Sequence, residues 1–131
     1  MVTYYLNDTA IDPVWMDKKA QDTAKSFFET KPLLAASQLR KFYGDVKTLE
    51  RQWRSCGGDE AAFDGILPLI KLLKAKVTYA YKRKVVPVTF QSWLCEHVDS
   101  VKRPKDFKAF VLHFEAVVGF SYGFAPDKNF N

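Results

Sequence analysis

At 131 residues the chain has room for one domain with a real core and not for two independent ones. Hydrophobic residues at 47% and aromatics at 15% exclude a disordered chain on composition. The net charge of +5 points to polyanionic partners, and all of the excess lies beyond residue 36, because residues 1–36 hold five acids and four bases.

In chain order, MVTYYLNDTAIDP lacks a basic segment followed by an apolar one, and no apolar run approaches the ~18 residues of a membrane span. A soluble, cytoplasmic protein with no membrane contact is expected. Asp12-Pro13 reads as an N-cap and first helical residue, opening a helix through Trp15, Ala20, Ala24, Phe27 and Phe28 to about Thr30. Lys31-Pro32 stops it. Ser37 can cap a second helix in which Leu39, Phe42, Val46, Leu49 and Trp53 recur every three or four residues. Cys56-Gly57-Gly58 ends that helix, and Asp59 can cap a short third one. Pro68 is expected to break the pattern, starting a fresh helix to Lys84. After Val85-Val86-Pro87 a helix is predicted over about 88–101 and, after Arg103-Pro104, another over roughly 105–123, with a frayed tail at 125–131. No period-two alternation persists. The fold class is all-α: one helical domain over 1–131, a compact bundle of about five helices, with 1–36 contributing an N-terminal helix of unassigned role.

The second helix carries the clearest functional pattern. At about 100 degrees per residue, Arg40, Lys47, Arg51 and Arg54 fall within about 60 degrees of one another, opposite the apolar face. This makes a cationic stripe on the order of 20 Å long, unbroken by acids on the helical wheel, which suits a phosphate backbone. KLLKAKVTYAYKRK at 71–84 adds six bases and no acid, with Lys71, Lys74 and Lys82 on one face beside Thr78. Tyr79 and Tyr81 interleave with these bases and are read either as core residues or as stacking platforms for single-stranded RNA. The last helix is apolar nearly all round, which implies central burial or cover by another chain.

Catalysis has little support. His97 and His113 are the only histidines, Cys95-Glu96-His97 lie too close on one helix to converge on a metal, and Cys56 and Cys95 form no CxxC pair. Phosphate-binding loops, nucleophile elbows and HExxH are missing. No cofactor, metal or catalytic residue is expected.

Three segments, SQLRKFYGDV at 37–46, LPLIKLLKAKVTYAYKR at 67–83 and DFKAFVLHFEAVVGF at 106–120, resemble the small subunit of the type III-A CRISPR-Cas effector, the Csm complex. The resemblance implies a five-helix bundle stacked in several copies inside a ribonucleoprotein filament. It further implies contact with guide RNA, target RNA, and the backbone and large subunits, and binding rather than cutting. Arg40 and Lys41 match the R-K of the first motif, Lys74 and Lys76 the L-K-A-K lysines, and Arg83 the closing arginine. Phe107, Phe110, Phe114 and Glu115 match the last motif, with Glu115 implied to orient a neighbouring base. Residues 1–36 match no named motif, and Lys82 stands where many members have a small residue. The expected RNA-binding set is therefore Arg40, Lys41, Lys47, Arg51, Arg54, Lys71, Lys74, Lys76, Lys82 and Arg83. The rival from another class is a helical scaffold subunit touching only protein. A helix-turn-helix DNA binder fits poorly, because DEAAFDG after the Gly57-Gly58 turn is acidic where a recognition helix is basic.

Overall fold

The computed structural model describes residues 2–126 and 130. It consists of α1 (Lys18–Ser26), α2 (Ala36–Ser55), α3 (Glu60–Lys82), α4 (Val88–Ser100) and α5 (Pro104–Phe124), preceded by a 3-10 turn at Pro13–Met16. No strand is formed among the described residues beyond an isolated antiparallel bridge between Tyr5 and Ile11. α5 lies against α1 and α2, α3 packs on both α2 and α4, and buried side chains from every helix join one hydrophobic cluster.

α5 is central because Phe107, Ala109, Phe110, Val111, Phe114 and Val117 are all buried. Around it the aromatic side chains meet edge to face, the arrangement their quadrupoles favour. Trp93 and Phe114 have ring centroids 4.9 Å apart at 87°, and Phe27 meets Phe90 at 5.2 Å. Of the two expectations for α5, central burial describes one side of the helix. Leu112 and Phe124 remain 45% and 41% exposed, so a second apolar face is incompletely covered by this chain.

Several boundaries differ from expectation, each for a local reason. Asp12 does cap, accepting from the Val14 amide at 3.1 Å, but it opens the 3-10 turn and not a continuous helix. Asp17 has φ −126° and ψ −105°, outside the helical region, and α1 starts after it. The break allows Trp15 to turn inward, where its indole N–H donates to the Thr3 carbonyl at 2.9 Å. α2 starts at Ala36 with Ala35 as N-cap, so Ser37 sits inside the first turn.

The Pro68 break is not observed: α3 runs unbroken from Glu60 to Lys82. A proline inside a helix costs about 3 kcal/mol through its missing donor and its ring. Against that, Phe63, Ile66, Ile70, Leu73, Val77 and Ala80 continue one buried face straight across Pro68. At about 1.5–3 kcal/mol per large apolar side chain, continuity outweighs the defect. Asp64, whose carbonyl loses its helical donor, is exposed, as is Pro68, so water can satisfy the orphaned group.

The Gly57-Gly58 stop behaves as expected, with φ of 110° and 64° and the Gly58 amide donating to the Trp53 carbonyl at 2.9 Å. Asp59 caps α3 by accepting from the Ala62 amide at 2.9 Å. The expected fraying of the tail is corrected at Phe130, which is buried and packs on Phe28 and Tyr122 with centroids 5.4 and 5.0 Å away. The rest of that expectation falls partly on 127–129 and 131, outside the described residues.

Candidate functional site

The α2 periodicity places Leu39, Phe42, Val46, Leu49 and Trp53 in the core, which turns Arg40, Lys41, Arg51 and Arg54 to solvent. Lys47 is half-buried at the stripe's edge. The stripe exists, but its freedom from acids does not. Glu50, only 8% exposed, accepts from Lys47 at 2.8 Å and from Arg54 at 3.1 Å. On the wheel Glu50 falls just outside the basic sector, yet the i,i+3 and i,i+4 spacings from Lys47 and to Arg54 bring all three together. Donation to Glu50 raises the Lys47 pKa, despite an opposing effect of burial. Arg51 donates to Thr48 Oγ1 at 3.1 Å, Arg40 to the Tyr122 hydroxyl at 3.3 Å, and the Lys41 ammonium lies 5.8 Å from the Phe42 ring centre.

On α3 the bases diverge. Lys71 donates to the Val98 carbonyl at 3.1 Å, Lys74 pairs with Asp99 at 2.6 Å, and Thr78 accepts from Gln91 at 3.3 Å, so this face is engaged by α4. Lys76, on nearly the opposite side of α3, approaches Asp45 of α2 at 3.8 Å. Lys76 therefore meets α2 on its Asp45 flank and not on the basic stripe, since Asp45 lies about 140 degrees round the helix from Arg40, whereas Lys74, about 160 degrees from Lys76 on α3, points toward α4. Lys82 and Arg83 stand exposed at the α3 C-terminus, with the guanidinium 5.6 Å from the Tyr79 ring. The ten predicted bases thus divide into an α2 face, an α4-facing group and a cluster at the end of α3.

Tyr79 and Tyr81 are not core residues, being 65% and 41% exposed. Two lysines outside the predicted set, Lys31 and Lys84, line a cleft with Lys82 and Tyr81. Only the tertiary approach of the α1–α2 connection to the end of α3 unites them. The available sequence signal was the unbroken K-R-K at 82–84.

Both histidines are structural. Their rings stack at 4.6 Å and 19° inside the core, His113 accepts from the Trp93 indole at 3.0 Å, and the Tyr4 hydroxyl lies 2.7 Å from His97 Nδ1. Since His113 Nε2 accepts from Trp93, its proton sits on Nδ1, which donates to the Trp15 carbonyl. Burial first, then the neighbouring ring, drives the His97 pKa down, and burial lowers that of His113 to about 4. Among the described residues no three His, Cys, Asp or Glu side chains gather as metal ligands, and no helix is long and apolar enough to cross a membrane.

The family model Csm2 Type III-A matches residues 12–125. The match takes in all ten predicted bases and reaches back through α1, a segment in which no motif was legible. No curated protein and no solved structure matches the chain.

Proposed function

The chain belongs to the Csm2 Type III-A family, which makes it a small subunit of the type III-A CRISPR complex, and from that premise we propose that it binds guide or target RNA along the phosphate backbone without reading bases and without cutting. The observation that carries this reading is the exposed α2 face, where Arg40, Lys41 and Arg51 have no ion-pair partner among the described residues. Unneutralised cations along one helix suit a polyanion, and sequence would be read by pairing between the two RNA strands. Several copies stacking along one RNA would supply avidity to weak single contacts. The uncovered α5 face, with Leu112 and Phe124 at the surface, supports contact with a second copy or a neighbouring subunit.

A second reading, a scaffold that touches only protein, is favoured by the bases already engaged within the fold, Lys47 and Arg54 with Glu50, Lys74 with Asp99 and Lys76 with Asp45. The two are separated by anisotropy of labelled single-stranded RNA across a salt series, comparing the parent with R40E/K41E/R51E. This triple variant leaves Glu50 paired, so circular dichroism should show an intact fold. About four phosphate contacts should give a log-log salt slope near −3, flattened by about 2 in the variant. Salt-independent binding, or equal binding by the folded variant, would reject the α2 face and favour the scaffold.

A further inference from the structure

We propose that the cleft between the α1–α2 connection and the C-terminal end of α3 is a subsite for one unpaired base of single-stranded RNA, with Tyr81 as stacking platform and Lys31, Lys82 and Lys84 as phosphate contacts. The inference rests on the RNA-binding reading but concerns a different surface from the α2 stripe.

The cleft encloses about 850 Å³, within the range of small-molecule sites, and Pro32 and Val88 supply its apolar lining. Its rim holds three lysines and no acid. None of the three is ion-paired among the described residues, unlike Lys47, Lys74 and Lys76. The backbone explains how they meet. Lys84 adopts φ 63°, and the Val85 amide donates back to the Ala80 carbonyl at 3.2 Å, so the chain reverses sharply after α3. That reversal brings Lys84 and Val88 to the same cleft as Tyr81, one helical turn earlier.

The two exposed tyrosines are distinguishable. Tyr79 already carries the Arg83 guanidinium 5.6 Å from its ring centre, whereas Tyr81 opens onto the cleft. A flat aromatic beside unneutralised ammonium groups is what a nucleotide requires, a ring for the base and cations for its flanking phosphates. An acidic peptide would use the lysines and leave the ring idle.

The experiment compares the full chain with Y81A, Y81F and K31E/K82E/K84E, using oligoadenylate and oligouridylate of equal length in anisotropy titrations over a salt series. Y81A should weaken oligoadenylate roughly 5- to 100-fold, with an unchanged salt slope because the ring carries no charge, while Y81F retains parental affinity. The three lysines should add about 2 to the slope expected from the α2 face alone, and the lysine variant should remove that addition. If Y81A binds as the parent does while R40E/K41E/R51E loses affinity, the cleft proposal is wrong and the RNA-binding reading stands. If the parent binds neither oligonucleotide, both are wrong. Binding of polyglutamate that Y81A leaves intact, with RNA affinity also unchanged, would assign the lysines to an acidic protein and overturn the base subsite. Tyr81 is 41% exposed, so its truncation should leave the circular dichroism spectrum intact.

Discussion

Acidification from about pH 7 to about pH 5 should remove about 4 kcal/mol of folding stability through the buried histidine pair alone. His97 and His113 are 2% and 0% exposed, stacked on each other and enclosed by Tyr4, Trp15, Trp93 and Phe110. Lys19, whose ammonium lies 4.0 Å from the Trp15 ring centre, adds a positive charge nearby. All of this disfavours imidazolium, and both folded pKa values fall, that of His113 to about 4. The unfolded chain takes up protons near about pH 6.5 while the folded one does not, so stability is complete above that value and declines below it. At about pH 5 each histidine is some 1.5 units below its unfolded pKa, worth about 2 kcal/mol apiece at about 1.4 kcal/mol per unit. Against a total of about 5–15 kcal/mol for a domain, the urea midpoint followed by tryptophan fluorescence should drop steeply. H97F, which preserves an aromatic ring in the stack, should halve the pH response. Equal unfolding free energies at the two pH values would refute the reasoning, as would histidine ring resonances that titrate near about pH 6.5 in the folded protein.

Replacing Pro68 by Ala restores the missing donor to the Asp64 carbonyl and should raise stability by about 2 kcal/mol, after allowing for the greater freedom of the unfolded chain; an unchanged thermal midpoint would show a helix already adapted to proline. Lys84→Gly relieves a left-handed lysine and should add about 1 kcal/mol by urea denaturation. Glu50→Gln frees Lys47 and Arg54 from their shared carboxylate. Under the RNA-binding reading it should tighten single-stranded RNA and steepen the salt slope by about 1, whereas a scaffold would show neither change.

Helices with strong periodicity were legible without coordinates because their pattern is a property of one segment. The buried face of α2 is the one its spacing specifies, and the Gly57-Gly58 stop is dictated by backbone conformations that other residues avoid. Pro68 misled because a local rule competed with six buried side chains whose contribution depends on α2 and α4 being in place. The α2 stripe is visible in the sequence as a face, but the pairing of Glu50 is not, because a helical wheel registers angle and ignores the reach of long side chains. The cleft around Tyr81 was illegible for a different reason. Lys31 lies 50 residues before Tyr81, and no periodicity within a segment reports which loops the fold brings together.

The N-terminal strap bears on when this protein can finish folding. The Val2 amide donates to Ser100 Oγ at 3.2 Å, Tyr4 meets His97, and the Tyr5 hydroxyl donates to the Lys105 carbonyl at 2.7 Å. Each contact spans more than ninety residues, so residues 2–5, made well before their partners, have no binding site until α4 and the start of α5 have been made. Helices α2, α3 and α4, joined by short turns, can assemble from near neighbours in sequence. Closure by the strap and by α1 on α5 then comes last. During synthesis Tyr4 and Trp15 must wait in water, and a ribosome that stalls before α5 would leave a half-built bundle with its aromatic centre open to aggregation.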